Sequence, residues 1–253
     1  MNNYQSVKTG ENTYKFIAKK QNFFIGKCCL IAGGLFALIF GIAFVISEFV
    51  FLKNNINFNY IIMIGTISLI AAFIFSIIMS FKGISASFGL IITTITIYSF
   101  AFIMMFSSYF SLLGNSIMFF ALAFTSIAII IIGIISFIIP AKTAYSIFKI
   151  SMISFGAYIM ISLVGSLVLW FTYSSITIQI WQIVITALIG FIIICSTIFS
   201  FYKLKQTSEF INISDIDSTT YNKLLLLQAF NILSSIIMLF MWILRILGIA
   251  NRS

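Results

Sequence analysis

The sequence predicts an all-α polytopic membrane protein: seven transmembrane helices, with the seventh at the centre. Three observations predict it. Of 253 residues, 62% are hydrophobic and 8% charged, against about 45–50% and about 25% in an ordinary soluble domain. Seven apolar segments recur along the chain, each near the roughly 20 residues needed to cross a hydrocarbon core of about 30 Å. The lysines gather in alternate stretches between them. Helices are the expected form, because lipid offers the backbone no hydrogen-bond partners. A β-barrel would show alternating strands of about 10 residues instead.

A polar tail, residues 1–22, comes first and is expected to be cytoplasmic. The first span runs from about Phe24 to Ile46. It exceeds the roughly 7–15 apolar residues of a cleavable signal, and Ser47, Glu48 and Phe49 follow it rather than a small-residue cleavage site. The second span covers Tyr60 to Phe81 and the third Ala86 to Phe106. The fourth runs from Ile117 to Ile139 and stops at Pro140, the only proline, where a helix loses a backbone donor and meets a steric block. The fifth covers Ile150 to Phe171 and the sixth Ile178 to Phe201. A polar cytoplasmic loop, 202–223, leads to the seventh, Leu224 to Gly248. Residues 23–253 therefore read as one transmembrane domain, with no room for a soluble one.

Orientation follows from the basic residues. The tail and first turn hold Lys8, Lys15, Lys19, Lys20 and Lys27. The loops after the second, fourth and sixth spans hold Lys82, then Lys142 and Lys149, then Lys203, Lys205 and Lys223. The other side has only Lys53, Arg245 and Arg252. The positive-inside rule places the N-terminus in the cytoplasm and the C-terminus outside. The net charge of +9 is thereby explained by the membrane and not by nucleic acid.

Several kinds of chemistry are excluded. There is no histidine, so no histidine metal site or acid–base pair. Cys28 and Cys29 are adjacent and Cys195 lies inside a span, which is neither a disulfide framework nor a zinc spacing. The acids are Glu11, Glu48, Glu209, Asp215 and Asp217. None pairs with another inside a span, which argues against a proton-driven relay. No Ser/His or Asp/Asp constellation exists for an intramembrane enzyme, and no cofactor motif is seen. The run Ser214 to Thr220 reads as capping of the seventh helix by Asp217 or Ser218. A calcium site there would need about six to eight oxygens.

The polar groups left inside spans are candidates for structure or function. Most Ser and Thr are expected to bond their own helix backbone. Gln228 and Asn231 lie three apart on the seventh helix, so both are expected on its bundle face, as interhelical glue or as pore lining. Arg245 is expected to snorkel or to pair with Glu48, both being near the outer face. Gly33, Ala37 and Gly41 repeat at four-residue spacing, as do Ser162 and Ser166 beside Gly165. Small residues at that spacing let helices approach closely. Packing inside one bundle is the simpler reading and dimerisation the sharper one.

The C-terminal third resembles the Bax inhibitor-1 family, also called the transmembrane BAX inhibitor motif family. The family's last helix carries a Leu-Tyr-Leu-Asp run, an Asn three residues later, and a Leu-Leu-Arg-Ile-Leu-Gly ending. Here the run is Leu225-Leu226-Leu227-Gln228, then Asn231, then Ile243-Leu244-Arg245-Ile246-Leu247-Gly248. The family's sixth helix ends in an aromatic-Asp pair before a lysine-bearing stretch; here it ends Phe201-Tyr202-Lys203-Leu204-Lys205. The fourth span is similar to the family's Ala-xxx-Thr pattern at Ala121 to Thr125.

The resemblance implies a divergent bacterial plasma-membrane member. It also implies that Tyr202, Gln228 and Asn231 are the pore or gate positions. The family's bacterial members carry an Asp in each of the last two helices, a pair that senses pH and gates a calcium leak. Tyr202 and Gln228 stand at those positions, and neither side-chain type titrates near neutral pH. The family's basic partner in the second span is absent too. A hydrogen bond between Tyr202 and Gln228 could stand in for the pair. The expected function is a leak for calcium or another cation without the pH latch. The alternatives are a transporter or permease subunit for a small solute, working with a partner ATPase, and a non-transporting membrane scaffold.

Overall fold

The computed structural model describes residues 3–52, 81–171, 175–213 and 216–250, with isolated positions between 63 and 78. Six long helices follow one another: α1 Asn3–Ile46, α2 Phe88–Leu113, α3 Asn115–Ile138, α4 Ala141–Phe171, α5 Ser175–Ile213 and α6 Ser218–Ala250. A π-helical turn, Ser47–Leu52, continues α1, and a 3-10 turn, Gly83–Ser85, precedes α2. No strand occurs among the described residues. The chain is an all-α polytopic membrane protein. Among the described residues, six helices hold segments long and apolar enough to cross a bilayer: Gln21–Phe49, Phe88–Leu113, Asn115–Ile138, Ala141–Gly165, Trp181–Ile211 and Ser218–Ala250. The predicted second span, Tyr60 to Phe81, falls mostly outside the described residues; the positions described within it are helical.

The helices are longer than the spans predicted from hydropathy. α1 takes in the polar tail without a break. The stretch 202–223, expected to be a loop, is corrected: α5 continues to Ile213 and α6 begins at Ser218. Lys, Glu, Gln and Leu are good helix formers in water, so a span's apolar run ends before its helix does. Lys142 and Lys149 likewise lie on the first turns of α4, not in a loop. The turn before α4 is only Ile139 and Pro140, because Pro140 caps α4: its carbonyl accepts the amides of Thr143 and Ala144 at 3.0 and 3.1 Å. Gly114 alone joins α2 to α3 with φ 80° and ψ 162°, a backbone region open essentially to glycine.

The chain divides into two compact units. The first comprises Met1–Ser108 and Lys203–Leu233. Aromatic rings hold it: Phe36 meets Phe106 edge-on at 6.3 Å, Phe102 lies 5.8 Å from Phe106, and Tyr98 meets Phe102 at 4.7 Å and Phe230 at 5.1 Å. Phe24 meets Tyr221 edge-on at 5.6 Å. Cys28 Sγ donates to the Leu225 carbonyl at 3.6 Å. Ser107 Oγ donates to the Ala43 carbonyl at 3.1 Å, just before α1 widens into its π-turn. These pairs rise in register, so α1, α2 and α6 run parallel in this unit.

The second unit comprises Tyr109–Tyr202 and Ser234–Ser253. Phe148 stacks on Phe199 at 4.2 Å, and Tyr145 and Tyr202 complete that cluster around buried Ala144. Trp242 Nε1 donates to the Thr186 carbonyl at 2.8 Å, and its ring covers Gly190. Gly165 is buried under the Trp181 ring in the same manner, so this small-residue position does pack inside a unit. Ser151 shares a hydrogen bond with Ser196 at 3.2 Å, and Ser235 donates to Ser200 at 3.0 Å.

The corresponding expectation for α1 is corrected. Gly33, Ala37 and Gly41 are exposed, and a Cβ built at either glycine meets nothing within 4 Å. The buried stripe of α1 is Phe24, Cys28, Ala32, Phe36, Ile39, Phe40 and Ala43. α6, the predicted seventh span, is the most buried: 44% of its apolar window is inside, against 6% for α4 and at most 33% for the rest. The seventh predicted span is thus the most enclosed of the described spans.

Candidate functional site

The candidate site is built on α6. Asp217 starts the helix: its Oδ2 accepts the Thr220 amide at 3.2 Å and its carbonyl accepts the Tyr221 amide at 3.0 Å. The expected cap is therefore Asp217. Hydrogen bonds from the Thr220 side chain and backbone hold this carboxyl below its ordinary range. From Asp217 the leucines at 224–227 carry α6 inward, and Gln228 arrives roughly 15 Å along the helix at about 1.5 Å per residue.

Gln228 is 9% exposed. Its Nε2 donates to Thr207 Oγ1 on α5 at 3.0 Å. Its Oε1 is buried and has no partner among the described residues. One turn away, Leu204 and Ser208 of α5 are fully buried, and the Ser208 hydroxyl is used up on the Lys205 carbonyl at 2.6 Å. Leaving a buried amide oxygen unmatched costs about 1–3 kcal/mol. Such an atom in a native fold points to a ligand or to stored strain.

The other predicted positions fall as follows. Asn231 is exposed, which corrects its placement on the bundle face. Three residues turn a helix through about 300°, so Asn231 sits about 60° off Gln228. That is enough to leave the buried stripe and join exposed Met238 and Arg245 at seven-residue spacing. Tyr202 is buried in the aromatic cluster of the second unit, while Gln228 lies in the first, with Thr207 as its observed partner. Glu48 is half-buried in the π-turn of the first unit, and Arg245 is exposed on α6 in the second, so the expected pair is not a contact within either unit. Most span hydroxyls bond their own helix, as expected: Thr94 to Leu90, Thr125 to Ala121, Thr186 to Gln182 and Thr197 to Ile193.

No group of three or more His, Cys, Asp or Glu occurs among the described residues. Gln228 and Thr207 offer two hard oxygens, short of the six to eight that a resident calcium ion takes. Thr207 is the partner that sequence reasoning missed. No known protein family, curated protein or solved structure matches the chain.

Proposed function

We propose that this is a multi-pass plasma-membrane protein that lets small cations pass down their gradient, with the Gln228–Thr207 pair as the polar step in the path. The observation that carries the reading is the buried Oε1 of Gln228, which has no partner among the described residues, on the most buried of the described spans. An amide oxygen in a low-dielectric site is the kind of ligand that replaces a cation's water in selective pores. The chain has no histidine, and its acids lie near helix ends or outside the spans. Nothing at Gln228 can load and release a proton near neutral pH, so the passage is passive and unlatched. This is a Bax inhibitor-1-like leak without the carboxylate pair. The basic residues support a cytoplasmic N-terminus.

Reconstitution into liposomes tests it. Calcium or potassium entry should exceed that of empty liposomes, stay level between about pH 6 and 8 where no glutamine titrates, and fall several-fold in Gln228→Leu. Gln228→Leu is close in volume, and matching helicity by circular dichroism shows that it folds. Entry equal to empty liposomes, or unchanged in Gln228→Leu, would overturn the reading.

A further inference from the structure

Three helices of the first unit project beyond what the bilayer requires. α1 has 44 residues, about 66 Å at about 1.5 Å per residue, against a hydrocarbon core of about 30 Å. α5 continues through Lys203 and Lys205 to Ile213, and α6 starts at Ser218. The Phe24–Tyr221 contact and the Cys28–Leu225 hydrogen bond fix α1 and α6 side by side at this end. Lys8, Lys15, Lys19 and Lys20 belong to the α1 projection, and Lys27, Lys203, Lys205 and Lys223 to the same unit. The acids there are fewer, and Asp217 is engaged as the α6 cap.

Lys27 is the telling member. It lies near the start of the membrane-spanning segment Gln21–Phe49, just before its most apolar stretch, and is exposed. Its ammonium sits 4.3 Å from the Phe23 ring centroid and 6.0 Å from that of Tyr221. Aromatic faces hold a cation without neutralising it. Phe23, at 60% exposure, and Leu30, at 76%, flank it on the helix surface. A charge between exposed apolar groups stands where acyl chains meet headgroups, with its stem along the hydrocarbon. A soluble acidic protein would have to descend into lipid to reach it, whereas a lipid phosphate is already at that depth.

We propose that the α1–α6 seam at Lys27 binds the headgroup of an anionic phospholipid, the ammonium on the phosphate and the Phe23 and Tyr221 rings against the glycerol and upper acyl chain. The other lysines of the unit add to the positive field that draws anionic lipid to this face. The site is independent of Gln228.

Native mass spectrometry of the full-length protein tests it, with equal phosphatidylglycerol and phosphatidylcholine in the micelle. Phosphatidylglycerol should be retained several-fold over phosphatidylcholine. Lys27→Gln should lose that preference, and Lys27→Arg should keep it, which separates loss of charge from loss of fold. Millimolar inorganic phosphate or soluble poly-glutamate should leave retention unchanged. Equal retention of both lipids, a preference surviving in Lys27→Gln, or displacement by phosphate or poly-glutamate would each overturn the proposal.

Discussion

Asp217 fixes where a membrane helix begins with two hydrogen bonds, one from the Thr220 amide to its carboxylate and one from the Tyr221 amide to its carbonyl. The carboxyl bond, with the Thr220 side chain, lowers its pKa in the folded state. A depressed pKa contributes stability above the unfolded value, about 3.9, and that contribution is lost as pH falls through the folded value. The first turn of α6 should therefore loosen below about pH 4. Hydrogen exchange, corrected for intrinsic rates, should show protection at Thr220 and Tyr221 falling with acid in the wild type and level in Asp217→Asn. Equal pH dependence in both would remove the carboxylate from the account. The cap was readable in the sequence, because an acid just before an apolar run has few other uses. The Gln228 site was readable by half. Glutamine among leucines signals a buried amide, but Thr207 stayed hidden because a polar stretch after a span looks like a loop. Asn231 shows the remaining difficulty: a 60° turn separates a buried residue from an exposed one, and three-residue spacing cannot resolve it.

Helix–helix contacts in this protein are set by rings on glycines more than by glycines on glycines. Trp242 covers Gly190 and donates to the Thr186 carbonyl one turn away at 2.8 Å. A Cβ at Gly190 would fall within the indole, so Gly190→Ala must push the ring aside and break its hydrogen bond. Forced repacking of this kind costs about 1–3 kcal/mol. Gly133 is the internal comparison, since a Cβ there meets Phe201 at an ordinary 3.9 Å. Thermal unfolding in detergent should show Gly190→Ala clearly destabilised and Gly133→Ala close to wild type. Similar midpoints for the two would mean that Trp242 moves freely. The sequence drew attention to Gly33, Ala37 and Gly41, which are exposed, and passed over Gly190. Spacing reports that a helix could be approached; only the partner ring, on another helix, decides whether it is.

Across the whole molecule, direction is the property that ties the spans together. In the first unit the contacts climb α1 and α6 together, from Phe24 with Tyr221 to Cys28 with Leu225. α2 climbs the same way, from Tyr98 against Phe230 of α6 to Ser107 bonded to Ala43 of α1. Between α1 and α2 the sequence predicts a further span, the apolar run Tyr60 to Phe81, which falls mostly outside the described residues. Five described spans precede α6; with the predicted one they would make six, the even number that a shared direction of α1 and α6 calls for. The lysine bias alone also called for an odd total, so side-chain packing and charge reach the same count from unrelated physics. The C-terminus should then lie outside and the junction between α5 and α6 inside. Alkaline phosphatase needs an oxidising compartment for its disulfides, so fused after Ser253 it should be active, and inserted after Ile213 it should be inactive. Green fluorescent protein at the same two places should give the opposite pattern. A fluorescent C-terminal fusion, with the phosphatase fusion there inactive, would overturn this orientation.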